Sequence, residues 1–233
     1  MGRVARRLSS PVFVGRGEQL EALRVALSRA DAGEPGAVFI GGESGVGKTR
    51  LVMEFERIVR AAGARFLVGA CVDVGGSELP YAPLLGALRA LVGDVEDRAL
   101  EDMVSVAAGE LGRLLPELAV GPVARVSGGS SDALDPLAQS RLFEGLLGLF
   151  GRAGRDAPVV LVIEDLHWAD PSTRGFLSFL LRNIRRERLL LVATYRSDEL
   201  HRRHPLRQFL AEVERLPVVE RLAVAPFTRP ELA

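Results

Sequence analysis

The 233-residue chain has one cysteine, Cys71, and one lysine, Lys48. A single cysteine excludes an internal disulfide and fits a reducing compartment. In the apolar stretch from Arg65 to Val72 it reads as a buried thiol on a strand. Net charge is also lacking. Thirty basic residues balance thirty acidic ones, so no whole-protein field draws the chain to nucleic acid or to an anionic membrane. No apolar run approaches the length that crosses a bilayer. Residues 1–10 carry Arg3, Arg6 and Arg7 with no apolar stretch behind them, which excludes a secretory signal and predicts a flexible lead-in. A cytoplasmic location is the expectation. Internal repeats, a Ser-His-Asp set, a metal-binding cluster and a basic surface interleaved with aromatics are all missing, so this chain is not expected to contact nucleic acid directly.

What is present is an ordinary globular composition, 48% apolar and 26% charged, long enough for one large domain with a buried core. Strand-like and helix-like segments alternate. Apolar residues recur at helical spacing over 18–30 and 48–62, and less regularly over 82–118, with breaks near Gly93 and Gly112. Residues 120–135 are rich in Gly, Ser and Pro and read as a loop. Asp135-Pro136 and Asp170-Pro171 each place an acidic cap before a proline at the first helical position, so helices are predicted to start there, the first running to about Phe150. A further helix is predicted over 205–215. Short strands are predicted at 37–40, 65–72, 159–163, 189–194 and 218–224. That order implies a parallel sheet covered by helices on both faces. Thr228-Arg229-Pro230-Glu231 has the spacing of a capping box. It predicts a following helical domain, of which residues 228–233 would be the start, and a chain that is a piece of a longer protein.

The chemistry concentrates at Gly42-Glu43-Ser44-Gly45-Val46-Gly47-Lys48-Thr49, which fits G-x-x-x-x-G-K-[ST]. Successive backbone N–H groups can approach phosphate oxygens only where the loop bends tightly and side chains stay out of the way. The glycines permit this. The following helix adds unpaired N–H groups and the positive end of its dipole. Lys48 can reach the outer phosphates, Thr49 can ligate Mg²⁺, and Arg50 adjoins the loop. Of thirty basic residues only Lys48 is lysine, so its placement here has a reason. The strand at 159–163 ends in Glu164 and Asp165. A strand end puts such carboxylates at the sheet rim, where open α/β sheets bind ligands. One would serve Mg²⁺ and the other would orient a water. The strand ending in Thr194-Tyr195-Arg196 offers a sensor, with Arg196 as a fork of donors for a γ-phosphate. His167 reads as exposed or capping, Trp168 as a packing residue, Asp170 as an N-cap, and Arg182, Arg185, Arg186 and Arg188 as a solvated stretch at a helix end.

These motifs carry a resemblance. With Phe13-Val14-Gly15-Arg16, Leu79-Pro80-Tyr81-Ala82-Pro83, Arg141-Leu142-Phe143, Glu164-Asp165-Leu166-His167-Trp168-Ala169-Asp170, Ala193-Thr194-Tyr195-Arg196 and Leu222-Ala223-Val224-Ala225-Pro226-Phe227, the chain resembles the signal-transduction ATPases with numerous domains (STAND), an AAA-like branch of the P-loop proteins. It is most similar to the N-terminal ATPase module of large bacterial LuxR-type (LAL) transcriptional regulators and some class III adenylate cyclases. The resemblance implies a three-layer α/β/α domain over 11–227, with a five-stranded parallel sheet in the order 5-1-4-3-2. It also implies ATP and ADP as ligands with Mg²⁺, and Val14, Gly15 and Arg16 near adenine and ribose. Glu164 would be the Mg²⁺-side acid, Asp165 the water-activating one and Arg196 the sensor. Glu164 stands where the family commonly has Asp, which leaves the division of labour between the two acids open. The lid, the winged helix and an output domain, which can bind DNA, would follow in the same chain and are not in this one. An ATP-dependent homo-oligomer is a further implication. Three functions follow: a slowly hydrolysing nucleotide switch, an oligomeric ATPase of the origin-recognition type acting on DNA, and a small-molecule phosphotransferase, for which the sequence shows no acceptor site.

Overall fold

In the computed structural model, residues 15–72, 80–94 and 136–227 are described. The chain runs α1 (Gly17–Asp31), β1 (Gly36–Gly42), α2 (Lys48–Ala61), β2 (Arg65–Ala70), α3 (Ala82–Asp94), α4 (Pro136–Ala153), β3 (Val159–Glu164), a short 3₁₀ turn (Leu166–Trp168), α5 (Pro171–Asn183), β4 (Leu189–Arg196), α6 (Pro205–Val213) and β5 (Val219–Ala223). The expected lead-in, Val14, the helical pattern beyond Asp94, the Gly/Ser/Pro-rich stretch, the cap at Asp135 and the capping box at 228–231 lie outside the described residues.

The five strands form one sheet in the order β2-β3-β4-β1-β5, every neighbouring pair parallel. This is the expected order read from the opposite edge. The strands look uniformly apolar in sequence, but their side chains alternate between two cores, as the pleat requires. Phe39, Leu161 and Leu191 enter one core with residues of α3, α4, α5 and α6. Val38, Val162 and Val192 enter the other with Leu23 and Leu27 of α1 and Leu51 and Phe55 of α2. A strand buried on both faces has no polar alternation to show. Fully burying such a side chain contributes roughly 1.5–3 kcal/mol, so the central strands anchor the domain. β5 differs. It is an edge strand whose Glu220, Arg221 and Ala223 are exposed.

Two helix starts follow from side-chain chemistry. Asp170 accepts from the Thr173 N–H at 3.0 Å, with Pro171 at the first helical position. Asp170 and Thr173 also share a short side-chain hydrogen bond. Asp170 is buried, so the cap fixes the entry of α5 behind β3. His204 plays the same part for α6, with Nδ1 accepting from the Leu206 N–H at 3.2 Å.

The sheet order decides what meets at its carboxyl edge. β1 and β4 are adjacent, with Gly42 opposite Arg196, and β4 is next to β3, with Ala193 opposite Ile163. Loops distant in sequence therefore converge at one rim, the usual place for a ligand in an open parallel sheet.

Candidate functional site

β1 delivers the chain into the phosphate loop at Gly42. A Cβ there would stand 2.4 Å from the Val224 carbonyl oxygen, so only glycine lets the loop leave between β1 and the segment after β5. Gly47, the residue before α2, has φ 98 and ψ 19, a left-handed conformation that glycine adopts without strain. That turn aims the first N–H groups of α2 back over the loop.

Lys48 is 8% exposed. Its Nζ donates to the carbonyl oxygens of Gly42 and Glu43, each at 2.7 Å. Burial pushes its pKa below the usual lysine value, and Asp198 partly opposes this. The ammonium is thus held inside the loop by the loop's own backbone. Glu43, Ser44, Gly45 and Thr49 are exposed, Val46 is buried, and Gly47 and Arg50 are half-buried. The Gly42 carbonyl also accepts from the Ser197 N–H at 3.2 Å, which ties the loop to the end of β4.

The two acids occupy different surroundings. Glu164 ends β3, half-buried, and its pKa is raised by burial first and by Asp165 second. Asp165 turns the chain out of the strand, with φ 53 and ψ 46, an uncommon conformation that aspartate tolerates better than most residues. Its N–H donates to Thr194 Oγ1 at 3.1 Å. Thr194, the polar residue on the expected sensor strand, is buried and holds the β3 rim against β4. Arg196 is half-exposed. Its Nη1 donates to Glu199 Oε1 at 2.5 Å, and its Nε lies 4.0 Å from Asp165 Oδ1.

Gly15 and Arg16 sit where the N-terminal segment meets the chain after β5. Arg16 donates to the carbonyls of Val46, at 3.3 Å, and Ala225, and its guanidinium lies 4.1 Å from the Phe227 ring centre. Both have positive φ. Arg16 is therefore attached to the phosphate loop from the side away from β3.

One sequence expectation is corrected. His167 is neither exposed nor a cap. Its side chain is 1% exposed, because the 3₁₀ turn folds it under the rim beside Glu199. Trp168 packs against the His167 ring, though at the surface rather than in a core. It is 41% exposed, with its ring 5.2 Å from that of His167. The arginine stretch is more than solvated, since Arg182 pairs with Glu212 and Arg188 with Asp31. Cys71 is buried just past the end of β2, where its N–H donates to the Glu164 carbonyl at 2.9 Å. Burial lifts its thiol to about 12, which makes it inert. Asp198 and Glu199 had not stood out as site residues. The only signal was their position, two adjacent acids separated from Arg196 by one residue.

The donor set suits Mg²⁺. Among the described residues no three His, Cys, Asp or Glu side chains converge into a metal cage. Mg²⁺ needs none, because one or two carboxylates, a hydroxyl, substrate phosphates and water complete its shell.

A parallel α/β sheet with a glycine-rich loop between β1 and α2, an arginine at the end of the adjacent β4 and acids at the end of the next strand, β3, defines a P-loop nucleotide-binding fold. A model of the AAA ATPase domain matches residues 12–192, and the chain belongs to that family. An uncharacterized protein of Rhizobium meliloti (strain 1021) is 28% identical over 218 residues, covering 89% of this chain. The chain spans 21% of that protein's length. Among solved structures, Cdc6p from Pyrobaculum aerophilum has a TM-score of 0.53 at 17% identity, covering 96% of this chain and 50% of that one. A Drosophila ORC bound to DNA has a TM-score of 0.51 at 13% identity, covering 95% of this chain and 44% of that one. At such identities the likeness is one of fold. Among the described residues no helix is long and apolar enough to cross a membrane.

Proposed function

We propose that the chain is the ATP-binding, slowly hydrolysing switch module of a larger cytoplasmic signalling or transcriptional regulator in bacteria. The observation that carries this is Lys48. The chain's one lysine is buried inside the phosphate loop, with its ammonium on two loop carbonyls. A buried cation held only by neutral acceptors is costly unless an anion completes it, and the outer phosphates of a nucleotide are that anion.

The backbone N–H groups from Gly42 to Arg50 cradle the phosphates, and Gly15 and Arg16 border the base and ribose. Thr49, Glu164 and Asp165 would hold Mg²⁺, which when bound neutralises charge between the outer phosphates. Asp165, which lies 4.0 Å from Arg196, orients the attacking water, and Glu164 serves the metal side. Arg196 reports the γ-phosphate. The difference between ATP and ADP is read by domains that follow in the full chain, a lid and an output domain, and ATP favours assembly into a homo-oligomer. The length of the Rhizobium relative supports such a setting, because this chain matches only 21% of it.

Action on DNA is the competing reading. It rests on the fold likeness alone, and the balanced charge opposes it. Isothermal titration with ATP and ADP, followed by steady-state hydrolysis with and without duplex DNA, separates the two. The switch reading predicts binding of both nucleotides, with turnover that is slow and unchanged by DNA. Fast hydrolysis stimulated by DNA would overturn it.

A further inference from the structure

The loop after β4 carries two carboxylates that already engage the donors assigned above to a triphosphate. Asp198 Oδ2 accepts from the Ser44 N–H of the phosphate loop at 3.4 Å. Glu199 Oε1 accepts from Arg196 Nη1 at 2.5 Å. The other oxygen of Glu199, Oε2, stands 3.3 Å from Nε2 of His167. The His167 side chain is 1% exposed, yet neither of its ring nitrogens makes a hydrogen bond. Buried polar atoms without a partner are rare and costly, so the ring is aimed at a group that has yet to close on it. Glu199 is that group, since it lies between the histidine and the arginine.

We propose that Glu199 is the specificity-determining residue that sets how strongly this site favours ATP over ADP, by holding that preference down, with His167 as the positioning residue behind it. Glu199 holds Arg196 away from the nucleotide. ADP has no group that competes for Arg196 and leaves the pair intact. The γ-phosphate of ATP does compete, because a phosphate offers the guanidinium the same charge-assisted fork as a carboxylate. When Arg196 moves to it, Glu199 loses its cation, and the Nε2–H tautomer of His167 donates to the freed oxygen. The Arg196–Glu199 pair is thus a threshold that only a triphosphate must exceed. Asp198 acts differently. It competes for a loop N–H that every nucleotide uses, so it weakens ATP and ADP alike.

This inference rests on the nucleotide reading, and the test separates the two. A non-hydrolysable ATP analogue and ADP, each with Mg²⁺, are titrated calorimetrically into the wild type, E199Q, H167F, the E199Q/H167F double variant and D198N, with folding checked by thermal melts. E199Q should tighten the ATP analogue by about fivefold, the scale of a half-exposed ion pair, and leave ADP unchanged. H167F should weaken the ATP analogue alone, and this effect should vanish in the E199Q background, because the histidine acts only through Glu199. D198N should tighten both nucleotides equally. An unchanged ATP-to-ADP affinity ratio in E199Q, or an H167F effect that survives in the double variant, overturns the proposal while the nucleotide reading stands. If E199Q does not fold, the ratio in H167F alone decides. If the wild type binds neither nucleotide, both readings fall.

Discussion

The phosphate loop and the loop after β4 lie side by side at the sheet rim and are joined by one backbone hydrogen bond, Ser197 N–H to Gly42 carbonyl. They present opposite chemistry. The first offers backbone N–H groups and one buried ammonium. The second offers the carboxylates of Asp198 and Glu199. The first is fixed by its backbone, since each glycine answers a close approach or a left-handed turn. The second is fixed by side-chain pairs on an exposed segment. A site that grips an anion needs the first kind. A site that registers which anion has arrived needs the second, because only side-chain pairs exchange partners at small cost.

Apart from Lys48, the largest expected effect lies on Asp165, the acid just past the end of β3 that lies 4.0 Å from Arg196. Asp165→Asn should lower ATP hydrolysis by about 10²-fold, the usual worth of a positioned base or water-orienting group, while ATP still binds. A loss of binding as large as the loss of turnover would break the assignment. Next is the backbone contrast itself. Gly42→Ala should destabilise the fold by about 2 kcal/mol in denaturant melts, because its Cβ would meet the Val224 carbonyl at 2.4 Å. Ser197→Ala, on the facing loop, should stay within about 0.5 kcal/mol of wild type. Equal costs would remove the distinction between a backbone-built and a side-chain-built loop.

The smallest effect is a pH dependence at Glu164. Its folded pKa is raised above 4.5 by burial, so between those two values the native state binds more protons than the unfolded chain and stability falls as pH rises. Glu164→Gln should therefore stabilise the nucleotide-free protein at neutral pH, with the advantage fading as pH falls through the raised folded value and gone below the unfolded carboxylate's value. A stability difference that is the same at pH 4 and pH 7 would contradict this. The acid is expected to cost stability where it serves function.

This contrast also explains what could be read in advance. The phosphate loop is legible because its chemistry dictates residue types at contiguous spacing. The central strands are legible because burial on both faces leaves unbroken apolar runs, and β5 less so because an edge strand mixes Glu220 and Arg221 into its run. His167 was misread because a three-residue 3₁₀ turn has too few positions to show a period. The burial of one ring beside an exposed Trp168 is decided by where β4 lies. Glu199 was missed for the same reason. Its meaning comes from the register that puts Arg196 opposite Gly42, and register is a property of the sheet rather than of any one segment.

The central claim is that the loop from Gly42 to Thr49 binds a nucleotide through a buried lysine. Calorimetric titration of ATP with Mg²⁺ into the wild type and Lys48→Ala tests it most directly. The account predicts a saturable, one-to-one isotherm for the wild type and a loss of affinity of about 100-fold or more in the variant, since a hydrogen-bonded charge on phosphate is removed from a buried position. The folded fraction should be nearly unchanged in thermal melts. Equal ATP affinity in the two proteins would contradict it.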